Sequence, residues 1–215
     1  MQKIAYFGGT FDPVHNGHLQ IARSLVSLFS LDRFYFLPAF HAPHKPDRTP
    51  TTGYHRFAML CLASQADEQI SVSTLELDKR EKRYTIDTLA ELNKLTPGAR
   101  NFFVMGADSW VAIRTWRDWE KVLLASDHIV VTRPGYDIEF GHVTPAARER
   151  IVDLRTGLAV DVDNSPGRRI FVTDAVKLDT SATEIREDLS DGRLDIPDEI
   201  PPEVAKYIEK YELYR

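Results

Sequence analysis

The stretch Lys3-Ile4-Ala5-Tyr6-Phe7-Gly8-Gly9-Thr10-Phe11-Asp12-Pro13-Val14-His15-Asn16-Gly17-His18 decides the fold, because it joins a short apolar run to the start of a helix through two glycines. The apolar run at residues 4–7 has the length and flanks of a buried strand. Apolar residues then recur at helical spacing at Leu19, Ala22, Val26 and Phe29. The pattern predicts a strand, a glycine turn and a helix whose N-cap is Asn16.

This turn predicts an anion site. A helix N-terminus presents unpaired backbone N–H groups and the positive end of the helix dipole, and glycines let the backbone approach a phosphate closely. His15 and His18 stand three positions apart across the predicted cap, so both rings can donate N–H bonds to one anion. The alternative is a glycine turn with two surface histidines. Because glycines, cap, helix and paired imidazoles fall in one short unit, the phosphate site is favoured.

Two common phosphate motifs are missing at this turn. Neither the G-x-G-x-x-G fingerprint nor the G-x-x-x-x-G-K-[ST] loop is present, which disfavours hydride transfer and ordinary P-loop hydrolysis. Residues 8–18 instead resemble the signature of the nucleotidyltransferase superfamily that carries (H/T)-x-G-H. The longer form, G-G-T-F-D-P-x-H-x-G-H, resembles the bacterial nicotinate-mononucleotide adenylyltransferases. The resemblance implies a Rossmann-like α/β fold and adenylyl transfer from ATP to nicotinate mononucleotide, which yields nicotinic acid adenine dinucleotide (NaAD) and pyrophosphate in NAD biosynthesis.

A second motif lies far along the chain. Thr180-Ser181-Ala182-Thr183-Glu184-Ile185-Arg186 resembles the family segment I-S-S-T-x-I-R and departs from it at the first and third positions. Ser181 followed by Glu184 is a capping box, and since such boxes begin many ordinary helices, the segment alone favours a structural role. A cap does not require Arg186, however. Two helix N-termini facing each other across a polyphosphate would explain both motifs.

Length, composition and charge set the broad class. A chain of 215 residues predicts one elaborated α/β domain spanning 1–215, with a small helical part at about 180–215. Hydrophobic content of 43% and charged content of 27% are typical of a globular protein, and a net charge of -5 disfavours nucleic acid as a partner. Cys61, alone in an apolar helical run, is predicted to be a core residue in a reducing, cytoplasmic protein. No apolar stretch reaches membrane-spanning length. The oligomeric state is left open.

The alternation of patterns along the chain predicts the sheet. Strand-like runs occur at residues 4–7, 34–37, 70–72, 102–105 and 129–132, with helical patterns between most of them. We therefore expect a doubly wound, mainly parallel sheet with helices on both faces and a ligand beyond the carboxyl ends of its strands.

Other segments carry weaker patterns. Residues 144–163 are predicted to form a solvated helix, and residues 202–211 a short packing helix begun by proline. The basic cluster at residues 80–83 is interpreted as a solvated turn.

The proline-rich stretch at residues 38–50 is too long for a simple connection and is predicted to be a functional loop. Its basic residues are suited to covering the outer phosphates of a nucleotide. A metal site at His41 and His44 is disfavoured, because the chain has one cysteine and no second-ligand pattern. The resemblance implies that His44 and Lys45 contact the triphosphate.

The resemblance also implies the two ends of the substrate site. Gly106-Ala107-Asp108-Ser109 resembles the G-x-D-S segment that contacts adenosine, and Thr115-Trp116 resembles the segment whose indole stacks on the pyridine ring. Tyr84-Thr85 resembles an S-Y-T segment near the nicotinate, here with Arg83 in the serine position. Arg133 is similar to a residue that borders the mononucleotide site.

The predicted chemistry needs no general base, because the attacking phosphate oxygen is largely ionised at neutral pH. The predicted catalytic residues are His15, His18, Lys45 and Arg186. The predicted ATP contacts are Gly8, Gly9, Thr10, Phe11, His44, Gly106, Asp108, Ser181 and Thr183. The predicted nicotinate mononucleotide contacts are Thr85, Trp116 and Arg133. Mg²⁺ is expected to bridge phosphate oxygens and keep most of its waters, with no dedicated protein ligands.

Two alternatives stay open at this point. Another adenylyl or cytidylyl transferase of the superfamily, such as the phosphopantetheine type, would share the phosphate motifs. A nucleotide-binding module without catalysis would keep the fold, although it would not need the whole set of basic residues. The preference between an acid and an amide on the pyridine is not set by side-chain identities.

Overall fold

The computed structural model describes residues 1–40, 50–132, 138–159, 161–162, 165–176, 180–193 and 199–215. The predicted site residues His44, Lys45 and Arg133 lie outside these ranges. The strands of the described residues are β1 (Lys3–Gly9), β2 (Arg33–Pro38), β3 (Ile70–Val72), β4 (Arg100–Gly106), β5 (Asp127–Val131), β6 (Ile151–Asp153) and β7 (Ile170–Thr173). They form one sheet in the order β3-β2-β1-β4-β5-β7-β6, and every neighbouring pair is parallel.

Helices connect most of these strands. The α-helices in the described ranges are α1 (Asn16–Phe29), α2 (Gly53–Ser64), α3 (Leu75–Asp78), α4 (Thr85–Leu95), α5 (Ala107–Val111), α6 (Trp119–Ala125), α7 (Pro145–Arg148), α8 (Ala182–Ser190) and α9 (Pro202–Lys210). Short 3-10 turns follow at Ile113–Thr115 and Leu154–Thr156.

The sheet is covered on both faces, because successive strand side chains point to opposite sides. Ala5 and Phe7 of β1 join a core built with α1, α2, α8 and α9. Ile4 and Tyr6 join a second core built with α4, α5 and α6. The predicted doubly wound parallel sheet is confirmed, and its C-terminal helices α8 and α9 pack on the same face as α1.

The strand order reverses at β1 and β4, and this is where the fold opens for a ligand. From β1 the chain builds outward to β2 and β3, and from β4 it builds outward to β5 on the other side. At the carboxyl edge Gly9 pairs with Pro38, and Gly106 pairs with Val131. Open α/β sheets bind ligands in the crevice at such a reversal point.

All five predicted strands are present, but the prediction for residues 144–163 was wrong. Instead of a solvated helix the segment holds the single turn α7, the edge strand β6 and a 3-10 turn. β6 is three residues long and pairs only with β7, so its partly exposed residues give no clear period. The buried strand β7 was also missed.

The predicted helix cap was one residue off. His15, with φ -141° and ψ 170°, is the N-cap of α1, and Asn16 is the first helical residue. The Asn16 backbone N–H donates to the carbonyl of Glu199 at 2.7 Å, so a distant segment supplies part of the capping. The prediction that His18 lies in the first turn is confirmed.

Three further predictions have mixed outcomes. Helix α9 begins with Pro202 at its first turn, as predicted. Cys61 is only partly buried, although burial does raise the pKa of its thiol and so disfavours the reactive thiolate. The solvated turn at residues 80–83 was wrong for Arg83, whose side chain is 12% exposed and forms an ion pair with Glu91.

None of the helices in the described ranges combines the length and apolar character that crossing a membrane requires.

Candidate active site

A cleft of about 750 Å³ lies at the carboxyl ends of β1 and β4. Every predicted site residue in the described part of the chain lines it. These residues are Gly8, Gly9, Thr10, Phe11, His15, His18, Thr85, Gly106, Asp108, Trp116, Ser181, Thr183 and Arg186. The fold therefore brings together residues separated by most of the chain, and their individual roles remain predictions.

Residues 8–15, here named the phosphate turn, run close to aromatic rings. A Cβ added to Gly9 would lie 2.8 Å from Cζ of Phe11, and one added to Gly8 would lie 3.1 Å from Cζ of Phe103. Phe11 itself has φ 51°, in the left-handed region that side chains rarely adopt, and is 3% exposed. A side chain at either glycine would crowd these rings, so backbone rather than side chain forms this wall of the cleft.

The histidine pair is held as a stack. The rings of His15 and His18 have centroids 3.6 Å apart and an interplanar angle of 28°. The His15 backbone N–H donates to Nδ1 of His18 at 3.3 Å, which makes Nδ1 the acceptor and places the proton of a neutral His18 ring on Nε2. The Phe11 ring meets His18 edge-on at 4.9 Å. The orientation of His18 is thus set from the backbone and from two rings.

The start of α8 borders the same cleft. Ser181 is its N-cap, and Oγ of Ser181 accepts from the Thr183 backbone N–H at 3.3 Å. Arg186 Nη2 donates to Oγ1 of Thr183 at 3.1 Å. A Cβ on Gly17 of α1 would lie 3.5 Å from Cβ of Thr180, so the two helix starts adjoin. The predicted convergence of the two motifs is confirmed.

Asp12 links the phosphate turn to three other segments. Its backbone carbonyl accepts from Arg186 Nη1 at 2.8 Å. Its carboxylate accepts from the Tyr214 hydroxyl at 2.6 Å through Oδ1 and from the Thr51 backbone N–H at 3.3 Å through Oδ2. Asp12 is 5% exposed. No role was predicted for Asp12, although it lies inside the motif at residues 8–18.

Arg56 of α2 is completely buried and joins the phosphate turn to two further loops. Nη1 donates to the carbonyl of Thr10 at 2.6 Å, Nη2 to that of Ala39 at 2.6 Å and Nε to that of Thr51 at 2.8 Å. Burial lowers the pKa of Arg56 and the Asp12 carboxylate opposes that effect. A lone arginine in an apolar helical run was the available signal for this residue, but its partners are distant carbonyls that no pattern reveals.

Another part of the cleft wall is aromatic and charged. Trp116 packs edge-on against Phe103 at 6.3 Å, and Thr85 begins α4 nearby. Arg83 also lines the cleft and donates to the carbonyl of Asp87 at 3.1 Å. Arg83 was not among the predicted contacts.

Glu76 is a second cleft residue that was not predicted. It lines the cleft and accepts from the Thr88 hydroxyl at 2.7 Å. Burial raises the pKa of its carboxyl group, while the Thr88 hydroxyl and the Arg83 guanidinium act in the opposite direction.

Gly106 stands where β4 passes into α5. A Cβ there would lie 2.8 Å from Oδ1 of Asp108, so the glycine leaves room for that carboxylate at the helix start. This is the segment that the sequence analysis assigned to adenosine.

A smaller cleft of about 330 Å³ lies around Arg100 and Asp127, away from the phosphate turn. Arg100 makes a two-pronged ion pair with Asp127 at 2.8 and 3.1 Å and also donates to the carbonyls of Ser165 and Gly167. Because these bonds satisfy the guanidinium, we interpret this pair as structural.

Within the described ranges no group of three His, Cys, Asp or Glu side chains is arranged to hold a metal ion. The carboxylates that line the main cleft are Asp12, Glu76 and Asp108. Asp12 already accepts two hydrogen bonds and Glu76 one.

Comparisons with known proteins agree with this architecture. A family model described as Cytidylyltransferase-like matches residues 6–188. The chain is 38% identical over 213 residues to a probable nicotinate-nucleotide adenylyltransferase of Solibacter usitatus, with 99% of each chain covered. It is 33% identical over 215 residues to one of Clostridium tetani, with 100% of each covered. The solved nicotinic acid mononucleotide adenylyltransferase of Plasmodium falciparum has the same fold, with a TM-score of 0.74, 21% identity and coverage of 100% of this chain and 98% of that one. The chain belongs to the nicotinate-nucleotide adenylyltransferase family.

Proposed function

We propose that this enzyme transfers the adenylyl group of ATP to nicotinate mononucleotide, giving NaAD and pyrophosphate. The observation that carries the proposal is the meeting of two helix starts, with His15, His18 and Arg186, in one cleft that Trp116 also lines. Such a cleft can hold a polyphosphate and an aromatic acceptor side by side. Positioning of this kind is the main requirement of transfer between phosphates.

The side chains supply electrostatic stabilisation. As ATP is attacked, negative charge builds on the α-phosphate and on the departing pyrophosphate, and preorganised N–H donors lower the barrier most when they face that charge. We assign His15 and His18 to the α-phosphate, and Arg186 with Ser181 and Thr183 to the outer phosphates. His44 and Lys45 keep the triphosphate role implied by the family resemblance.

In this proposal nicotinate mononucleotide binds at the aromatic part of the cleft wall. Trp116 stacks on the pyridine ring, and Thr85 contacts the nicotinate. Arg133 borders the mononucleotide, as the resemblance implies. Gly106 and Asp108, which lie where β4 passes into α5, contact the adenosine, as the resemblance implies.

Mg²⁺ completes the proposal as an ion bound to ATP. When bound it neutralises phosphate charge, and the residues near it orient the phosphates and keep the nucleophile in line. We place the reaction in the cytoplasm, because a lone cysteine fits a reducing compartment.

The relatives support nicotinate mononucleotide over other acceptors. Full-length relatives at 33–38% identity carry the name nicotinate-nucleotide adenylyltransferase. The Plasmodium falciparum enzyme was solved complexed with NaAD. The phosphopantetheine alternative has no comparable support among these proteins.

Pyrophosphate release from ATP and Mg²⁺ tests the proposal. Nicotinate mononucleotide, nicotinamide mononucleotide and phosphopantetheine are compared as acceptors, with a reaction lacking acceptor as the control. We expect the fastest release with nicotinate mononucleotide. Faster release with phosphopantetheine would contradict the proposal, and no release with any acceptor would favour a binding module.

A further inference from the structure

The segment at residues 199–215 contacts the phosphate turn once and the adjoining start of α1 once. The carbonyl of Glu199 accepts the Asn16 backbone N–H at 2.7 Å at the start of α1. The hydroxyl of Tyr214 donates to Oδ1 of Asp12 at 2.6 Å, across 202 positions of sequence. Between them α9 packs in the same core as α1 and α8. The turn is therefore held by a part of the chain that carries none of the family motifs.

The contact at Asp12 continues into the proposed catalytic machinery. The Asp12 carbonyl accepts from Nη1 of Arg186, and Nη2 of Arg186 is held by Thr183. A hydrogen bond to a carboxylate is stronger than one between neutral groups, so the Tyr214 hydroxyl restrains Asp12 firmly. A shift of Asp12 moves the carbonyl that orients the Arg186 guanidinium.

We propose that Tyr214 is a positioning residue for adenylyl transfer: through Asp12 it fixes the guanidinium of Arg186 against the outer phosphates of ATP. This inference rests on the proposed function. Tyr214 does not line the cleft, so it acts without touching substrate.

The hydroxyl remains a donor under working conditions. Burial and the neighbouring Asp12 carboxylate both raise the pKa of Tyr214 above its ordinary value, which keeps the proton on the phenol at neutral pH. Thr51 holds the other carboxylate oxygen through its backbone N–H. Replacing only the hydroxyl should therefore remove its bond to Asp12 and its contact with the Thr51 side chain, while the Thr51 backbone N–H still holds the other carboxylate oxygen.

The test is Tyr214→Phe in the full chain, with Tyr211→Phe as the matched control. Tyr211 lies on the same segment, is 47% exposed and stands outside the cleft. We expect Tyr214→Phe to lower kcat for pyrophosphate release by about tenfold, the scale of one hydrogen bond to a charged group. The KM for nicotinate mononucleotide should stay within about twofold, because Arg186 is assigned to the outer phosphates of ATP and not to this substrate. Tyr211→Phe should match the wild type in both.

A double-mutant cycle separates positioning from a merely structural role. If Tyr214 acts through Arg186, then Tyr214→Phe should have little further effect on kcat in an Arg186→Lys background. An equal tenfold loss in both backgrounds would overturn the proposal. So would a Tyr214→Phe enzyme that melts at a lower temperature but keeps its kcat per folded molecule.

A failure of the positioning role of Tyr214 can be distinguished from a failure of the proposed function. If the wild type releases no pyrophosphate with nicotinate mononucleotide, calorimetric binding of ATP with Mg²⁺ replaces the kinetic readout. Tyr214→Phe should then weaken ATP binding about tenfold while Tyr211→Phe does not. Equal affinity in all three proteins would reject the positioning role independently.

Discussion

His18 owes its orientation to its immediate neighbours. Its Nδ1 accepts from the His15 backbone, its ring stacks on the His15 ring, and the edge of Phe11 closes another side. A side chain held in this way loses little entropy when a phosphate arrives, which is what preorganised stabilisation of developing charge requires. The sequence could place His18 in the first turn of α1, but only the fold shows the restraint on its ring.

His18→Ala should therefore affect turnover more than binding. We expect kcat to fall about 100- to 1,000-fold, the range seen when one donor to a developing oxyanion is removed, while the KM for ATP changes far less. Steady-state pyrophosphate release measures both. His55→Ala, outside the cleft on α2, serves as the control. Near-normal turnover in the His18 variant would remove the residue from the mechanism.

The Arg56 side chain is likewise held by several neighbours, although it is not proposed to touch a substrate. Its planar guanidinium satisfies the carbonyls of Thr10, Ala39 and Thr51 at once, and an ammonium group has a different geometry and cannot reach all three. Each carbonyl left without a partner in this buried site costs free energy.

Arg56→Lys should thus lower the free energy of unfolding by about 2–4 kcal/mol in urea denaturation. Arg23→Lys is the matched control, because Arg23 forms an ion pair with Asp67 and its side chain is 52% exposed. We expect the control to lose less than about 1 kcal/mol. Equal losses of unfolding free energy in the two variants would show that the three carbonyl bonds stabilise the fold no more than the exposed ion pair of Arg23 does.

Among the secondary-structure elements, the sequence patterns correctly predicted the strands that are long and central in the sheet. The runs that became β1, β2, β4 and β5 are apolar on both faces, as buried parallel strands require, and the glycines mark the carboxyl edge. Helix α8 was anticipated from its serine cap. These features depend on residues that are close in sequence, so they can be predicted from the sequence alone.

The missed features depend on partners far along the chain. β6 is an edge strand whose existence rests on pairing with β7, and the cap of α1 is completed by the carbonyl of Glu199. Asp12, Arg56 and Tyr214 were overlooked as site residues for the same reason. Their hydrogen bonds join segments whose proximity only the folded sheet creates.

Strand β5 contains a histidine whose burial makes the fold sensitive to acid. His128 is completely buried, and its Nδ1 lies 3.2 Å from the carbonyl of Ser126. Burial, reinforced by the positive charge of Arg150, lowers the pKa of His128 to about 3. In the unfolded chain the pKa of a histidine is about 6.5. Between these pH values the unfolded state binds the extra proton, so stability is full above pH about 6.5 and falls as the pH drops towards 3.

His128→Leu should reduce this acid sensitivity. The wild type should lose about 2 kcal/mol between pH 7 and pH 5 through His128, and the variant should lack that contribution. Urea unfolding at several pH values measures the difference. Between pH 7 and pH 9 the free energies of unfolding of the two proteins should change in parallel, and this range serves as the internal control. Identical losses below pH 6.5 would mean that His128 is not the acid-sensitive group.

Considered as a whole molecule, the enzyme builds its main cleft from parts that include both ends of the described fold. The phosphate turn begins in the last two residues of β1, and Arg186 comes from α8 on the same face of the sheet. A ligand that bridges the two should stabilise the complete fold, because binding to the native state alone raises the free energy of unfolding.

Mg²⁺-ATP should therefore raise the melting temperature. At about 100 times its Kd the stabilisation is about 2.7 kcal/mol, which corresponds to roughly 5–10 °C for a chain of this size. Arg186→Ala should shrink the shift at the same ATP concentration. Arg193→Ala, a 65% exposed arginine just beyond α8, should keep it in full. An unchanged shift in the Arg186 variant would show that ATP does not bridge the two parts.

The bond between Tyr214 and Asp12 also has a consequence during synthesis. Asp12 leaves the ribosome 202 residues before its partner does. At about 5–20 residues per second, roughly 10–40 seconds separate the two. Throughout that interval the phosphate turn of the growing polypeptide lacks the restraint that Tyr214 supplies. The proposed positioning of Arg186 can therefore be completed only after residue 214 has been synthesised.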